Sequence, residues 1–241
     1  MQAVAIIPCR AGSKGIPSKN RVELCGMPLF LWSVAAALAE DRIKTICITT
    51  DDKEVLTWTK WAMSREKRIV AVERPSEMAE DSSPTEPCLF HACNYLGVGN
   101  HEYVVLMQPT SPLRSDNLLG RALDMGREHG SCFTCRDAGH IMWIKTGRFI
   151  CPLYDPSKRP RRQDCADVGT YLAEDGNIYC SKFSEMELTK TRFGLTPFAL
   201  LNDECKSAQI DTISDLNTIK AMATNQEMHK WMEEVRILLP R

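Results

Sequence analysis

No stretch of this 241-residue chain approaches the roughly 18 consecutive apolar residues that a membrane-spanning helix requires. The first apolar run, 3–7, is too short for the apolar segment of a secretory leader, so the expectation is a cytoplasmic protein. An excess of charge is also missing. Thirty basic against 31 acidic side chains give a formal net charge of −1, which excludes nonspecific nucleic-acid or anionic-membrane binding by bulk electrostatics. Any anion must be held by a local cluster. Two familiar phosphate loops are absent as well: neither Gly-x-x-x-x-Gly-Lys-Ser/Thr nor Gly-x-Gly-x-x-Gly occurs. The second absence removes the main argument for a dinucleotide-dependent oxidoreductase. The cysteines number eleven, an odd count, and are scattered, often among apolar residues as in Ile46-Cys47-Ile48, which points to reduced buried thiols. Cys132 and Cys135 make one CxxC pair without a second pair or histidine at zinc-like spacing.

What is present is an alternation of short β-like runs with longer helical ones, the pattern of stacked βαβ units. Strands are expected over 3–7, 45–49, 68–72, 103–107 and 131–134, and helices over 29–39, 53–64, 86–96 and 117–128. The fold class is α/β, a Rossmann-like, mostly parallel sheet flanked by helices, in one domain over 1–241. Leu31, Ala35 and Leu38 share one face of the first helix. Asp51 with Glu54, and Thr212 with Asp215, have capping-box spacing, the latter before a final helical stretch. Between about 140 and 171 the alternation lapses into prolines and a basic run, an excursion from the sheet.

The densest chemistry follows the first strand, in Arg10-Ala11-Gly12-Ser13-Lys14-Gly15-Ile16-Pro17-Ser18-Lys19-Asn20. Gly12 and Gly15 let backbone approach a phosphate, and Arg10, Lys14 and Lys19 supply three cations where an open α/β sheet places its ligands.

This segment resembles the N-terminal signature of the acylneuraminate cytidylyltransferases, or CMP-sialic acid synthetases. Thr50-Asp51-Asp52, Arg74 to Ala79, Gln108 to Arg114, Lys158 to Asp164 and Gly176 to Tyr179 are similar to later segments of that family, and Gln108 to Arg114 matches unchanged. The resemblance covers roughly 3–216. It implies a nucleotidyltransferase-type fold with a small dimerisation excursion, and a homodimer. It implies transfer of CMP from CTP to a nine-carbon 2-keto sugar acid, with Mg²⁺ and release of pyrophosphate. Arg10 and Lys19 are then expected to face the triphosphate, with Lys14 beside them, and Ser13 and Asn20 to hold the nucleotide. Arg74 and Thr85 are expected at cytosine and ribose, Gln108, Arg162 and Tyr179 at the sugar acid, and Asp211 at the metal. Three other readings stay open beside these: Asp51 and Asp52 as helix caps, Arg114 as a brace for its loop, and Tyr179 as a core residue of a strand.

Departures from the family pattern are Gln209, where an aspartate is usual, Ala173, where many bacterial members carry arginine, and about three extra residues between Asp164 and Gly176. The first keeps alive an alternative, a nucleotide-sugar-binding protein of the same fold that has lost catalysis.

Overall fold

The computed structural model describes residues 2–80, 82–159, 161, 170–223 and 225–238. The first half is a run of crossover units: β1 (Ala3–Cys9), a two-stranded ribbon of β2 (Glu23–Leu24) and β3 (Met27–Pro28), α1 (Leu29–Leu38), β4 (Ile43–Thr50), α2 (Lys53–Ala62), β5 (Ile69–Glu73), α3 (Thr85–Leu96) and β6 (Tyr103–Met107). There follow α4 (Leu118–His129), β7 (Ser131–Gly139), the hairpin β8 (Trp143–Thr146) and β9 (Phe149–Pro152), β10 (Tyr171–Lys182) and α5 (Phe183–Thr189). The chain continues through β11 (Pro197–Leu201), α6 (Ile213–Met222) and α7 (Asn225–Val235).

Seven strands form the central sheet in the order β11-β7-β10-β6-β1-β4-β5. All its pairings are parallel except the two made by β10, which runs against β6 and β7. β1 therefore lies deep in the sheet, between β4 and β6, and delivers the loop after Cys9 to the same edge as the ends of its neighbours. Successive side chains of β1 point to opposite layers. Ala3, Ala5 and Ile7 pack with α1, α4 and α6, while Val4 and Ile6 pack with Leu89 of α3 and with Phe183 and Met186 of α5. Coverage on both faces is why this strand reads as a continuous apolar run.

Helix α1 differs from the single apolar face read in its sequence: all ten residues are buried. One side meets the sheet and another is covered by α7, so a helix apolar all round is the right composition for this place. The same corner is closed by the Trp58 indole, which donates to the Leu238 carbonyl at 3.0 Å and stands edge-on to Phe30.

The capping box of α6 is present as its spacing predicts, with Thr212 and Asp215 exchanging hydrogen bonds. For α2 the cap is Asp52 and not Asp51: Asp52 Oδ1 accepts from the Glu54 and Val55 N–H groups at 2.9 and 3.3 Å. Its other oxygen accepts from Arg21 Nε at 2.9 Å. Neighbouring aspartates have thus divided two tasks, because Asp51 turns toward the loop after β1.

The segment after β7 leaves the sheet. β8 and β9 make a separate hairpin whose side chains are largely in solvent: Trp143, Phe149 and Ile150 are 53%, 78% and 61% exposed. The sequence expectations did not include β8 to β11. In β10 the reason is a polar interruption at Asp175-Gly176-Asn177, where Gly176 takes φ +66° and the register with β7 shifts.

Among the described residues the cysteines are free, and Cys132 and Cys135 are buried thiols of β7 raised by burial to about 12 and about 11. No helix among those residues is long and apolar enough to cross a membrane.

Replacing Asp52 by alanine removes a nearly buried N-cap together with the Arg21 partner. The expected loss is about 1–2 kcal/mol of stability, read as a lower urea midpoint at unchanged slope.

Candidate active site

The loop after β1 is held by groups from two other parts of the chain and by its own last residue, Asn20. The Ala11 N–H donates to Asp51 Oδ1 at 2.9 Å, and the Asn20 amide donates to the Arg10 carbonyl at 2.9 Å. Lys19 Nζ donates to the Ile210 carbonyl at 3.1 Å and to Asp211 Oδ1 at 2.9 Å. The lysine side chain is 13% exposed and the aspartate 68%, so the pair has one sheltered partner and one facing water. Ser18 sits in the left-handed region at φ 51°, and the Arg21 guanidinium donates to its hydroxyl at 2.9 Å.

The two glycines of this loop serve different needs. At Gly15 a Cβ would lie 2.1 Å from the Asp211 carbonyl oxygen, so the loop packs directly on the backbone before α6. At Gly12 a Cβ would meet nothing within 4 Å, which leaves the backbone open on that side.

Two further strand ends complete the wall. Arg74 follows β5 and is buried; its backbone N–H donates to the Thr50 carbonyl and its Nη2 to the Thr49 carbonyl, both at 2.9 Å. Its Nε is buried without a partner. The segment beyond Arg74 folds back over the loop, where Arg10 Nη1 reaches the Glu80 carbonyl at 3.4 Å, and leads into Thr85 at the start of α3. Gln108 follows β6. These side chains surround a cleft of about 280 Å³ lined by Arg10, Ser13, Lys19, Asn20, Arg74, Thr85, Gln108 and Asp211, with Glu80, Ser83, Cys88 and Thr110. Three cations face two carboxylates across it, a balance that favours anionic ligands brought with a cation.

Residues expected from the sequence meet four different outcomes. Eight line the cleft. Lys14 is exposed on the same loop but outside the lining, and Arg162 lies outside the described residues. Tyr179 is not brought to the cleft. It is buried on the α3 and α5 side of the sheet, its ring edge-on to Phe193, its hydroxyl donating to Glu174 Oε2 at 2.8 Å. Burial and the Glu174 carboxylate push its phenol far up.

Below the cleft lies a support of which the sequence signals the Arg114 brace but not its partner Asp175. Arg114 is buried, with Nη2 donating to Ser33 Oγ at 2.9 Å and Nη1 to the Pro112 carbonyl at 3.3 Å. Burial pulls its pKa down to about 10, opposed by the Asp175 carboxylate. It braces the Gln108–Arg114 turn. Asp175 ties that turn to β10: its carbonyl accepts from Ser111 Oγ at 2.9 Å and its carboxylate from Thr134, the Asn177 N–H and the Asn202 amide. Of these Asp175 ties the sequence shows only an acidic residue in a strand interior beside a glycine. Asp51, read there as a cap, is a loop anchor.

Comparison with known proteins agrees with this geometry. Residues 4–140 match the model of the family described as cytidylyltransferase. The chain is 32% identical over 185 residues to an N-acylneuraminate cytidylyltransferase of Oncorhynchus mykiss, covering 73% of this chain and 40% of that protein. It is 30% identical over 122 residues to an N-acylneuraminate cytidylyltransferase of Escherichia coli, of which it covers 27%. The chain thus spans well under half the length of those two relatives. A CMP-N,N'-diacetyllegionaminic acid synthase of Legionella pneumophila is 27% identical over 235 residues, with 94% of this chain and 99% of that one covered.

Among solved structures, a CMP:2-keto-3-deoxy-manno-octonic acid synthetase complexed with CTP superposes with a TM-score of 0.64 at 16% identity, over 92% of this chain and 98% of that one. A 2-C-methyl-D-erythritol 4-phosphate cytidylyltransferase of Francisella tularensis gives 0.66 at 14% identity, over 92% and 100%. These two show the fold, a mostly parallel sheet flanked by helices. With its family match running through β1, the cation-bearing loop and the Gln108 turn, this chain belongs to the cytidylyltransferase family.

Proposed function

We propose that this chain transfers CMP from CTP to a nine-carbon 2-keto sugar acid of the sialic-acid kind. The observation that carries the reading is the convergence of Arg10, Lys19 and Arg74 with Gln108 and Asp211 in one cleft at the strand ends. The names of the relatives support the sugar acid as acceptor. In the reaction, the anomeric hydroxyl attacks the α-phosphorus of CTP. A phosphorus–oxygen bond forms to the sugar, the bond to the bridging oxygen breaks, pyrophosphate leaves, and the hydroxyl proton passes to solvent.

Such a displacement asks for position and charge neutralisation more than for a covalent catalyst. Arg10 and Lys19 face the triphosphate, with Lys14 supplying a third charge at the loop's outer side. Ser13 and Asn20 hold the nucleotide, and Arg74 with Thr85 takes the cytosine and ribose end. Gln108 offers a donor and an acceptor to the sugar acid. Arg162 remains assigned to the acid's carboxylate.

A divalent cation fits the donor set. Among the described residues no group of three metal-ligating side chains gathers, yet Mg²⁺ is commonly held by one or two carboxylates together with substrate phosphates. Asp211 supplies one such carboxylate, and the bound ion would neutralise the leaving pyrophosphate. For Asp211 to turn to it, Lys19 must release that oxygen, and a triphosphate gives the lysine its replacement partner.

The homodimer belongs to the same proposal. The hairpin of β8 and β9 exposes Trp143, Ile144, Phe149 and Ile150, an apolar surface suited to burial against a second copy. The free thiols accord with the reducing cytoplasm.

Pyrophosphate release from CTP, Mg²⁺ and a panel of sialic, legionaminic and pseudaminic acids tests the activity. Turnover with one of them is expected, abolished by EDTA; tight CTP binding with silence toward every acid returns the chain to a binding role. Arg10→Ala and Lys19→Ala should each lower kcat/KM by about 10²-fold, and unchanged CTP affinity and turnover in both would overturn the assignment. Phe149→Asp should shift the mass in light scattering from two chains to one.

A further inference from the structure

Gln209 stands where the resembled family carries an acidic residue, and the structure gives its amide a neighbour other than a metal site. A Cβ built on Gly176 would lie 2.1 Å from Gln209 Nε2 and 2.6 Å from Gln108 Oε1. The donor of one carboxamide and the acceptor of the other therefore crowd the same spot, over a residue that has no side chain and, at φ +66°, is strained for any residue that has one. The backbones beneath are fixed. The Ile210 N–H donates to the Thr110 carbonyl at 2.8 Å, tying the residue after Gln209 to the Gln108 turn. Gly176 itself is held by Asp175, whose carbonyl and carboxylate are both engaged. Gln108 lines the cleft, as does Asp211 two residues beyond Gln209, and Gln209 stands just behind that lining with its amide against the spot that Gln108 Oε1 also borders.

We infer that Gln209 is a specificity-determining residue for the second substrate, one of two neutral amides that together read hydroxyl and acylamino groups of the sugar acid. The inference rests on the proposed acceptor. Its chemical basis is separate: an amide side chain offers two donors and an acceptor, whereas a hard divalent cation takes carboxylate and phosphate oxygen by preference. A pocket built to hydrogen-bond a substrate group discriminates strongly against an analogue that lacks it, because its own polar atoms are then left unpaired. Replacing the acidic residue by glutamine thus moves this position from charge neutralisation to recognition, and Asp211 is left as the protein's carboxylate toward the cation.

The test uses the full chain and steady-state pyrophosphate release, with CTP, sugar acid and Mg²⁺ varied in turn. Gln209→Ala is expected to raise KM for the acid about tenfold, with KM for CTP and the half-saturating Mg²⁺ concentration unchanged. Gln209→Glu keeps the size and removes the donor, so it should raise the same constant and serves if the alanine variant fails to fold. An unchanged acid KM in a folded variant overturns the inference, as does a shift confined to the Mg²⁺ dependence. If the unaltered chain turns over no acid at all, the proposed function falls and this inference falls with it; an active chain with indifferent Gln209 variants removes the inference alone.

Discussion

The ion pair between Lys19 and Asp211 joins residues 192 positions apart and is the contact on which the geometry of the cleft turns. A loop carrying Arg10, Lys14 and Lys19 within ten residues repels itself and has little reason to stay folded on a sheet edge. Three anchors oppose that repulsion: the Asp51 carboxylate on the Ala11 N–H, the Asn20 amide on the Arg10 carbonyl, and the Lys19 contacts with Ile210 and Asp211. Only the last reaches the distant end of the fold. Its placement requires Gly15, since any side chain there would strike the Asp211 carbonyl. An exposed salt bridge contributes little to stability in general, so its importance here is positional: it sets where a cation and an anion meet before any ligand arrives.

How much of this was legible in the sequence follows from how local each determinant is. The expected strands 3–7, 45–49, 68–72 and 103–107 and the Thr212–Asp215 box were readable because clusters of Ile and Val and a three-residue spacing are local signals. The cation-rich loop was readable for the same reason. Asp51 and Asp52 were not separable, because adjacent aspartates before a helix have the same local chemistry and only the approach of Ala11 distinguishes them. Tyr179 was open to two readings, since a tyrosine in an alternating segment suits either face until the register of β10 is known, and Gly176 shifts that register. The burial of α1 on every side depends on α7, a partner nearly two hundred residues later.

Support beneath the site was the least legible part. Arg114 was open to reading as a brace for its loop, but nothing local in the sequence shows how it does so: it lies in the interior, held by Ser33 and the Pro112 carbonyl, with its Nε lacking a partner among the described residues. A buried guanidinium whose nearby carboxylate, Asp175, is itself occupied by Thr134, Asn177 and Asn202 is costly in isolation. Here it joins the turn after β6 to α1, and Asp175 joins the same turn to β10. Gln108 therefore stands on backbone fixed from both flanks. Preorganisation of this kind is what the proposed role of Gln108 in holding the sugar acid would require.

The cleft also contains a group that looks reactive and is not. Cys88 lines it, but its thiol donates to the Thr85 carbonyl at 3.1 Å and burial pushes its pKa up, so the nucleophilic thiolate is suppressed. Among the described residues no histidine borders the cleft to act as base for the other lining side chains, such as Ser13, Ser83, Thr85 and Thr110. A covalent enzyme intermediate would need one of these groups to be activated. What the wall offers is the positive charge of Arg10, Lys19 and Arg74, the amides of Asn20 and Gln108, and the carboxylate of Asp211. Those are the means that the proposed transfer would call on, a direct displacement between two anionic reactants in which the acceptor itself would be the nucleophile and the protein's work would be to cancel the charge that keeps the reactants apart.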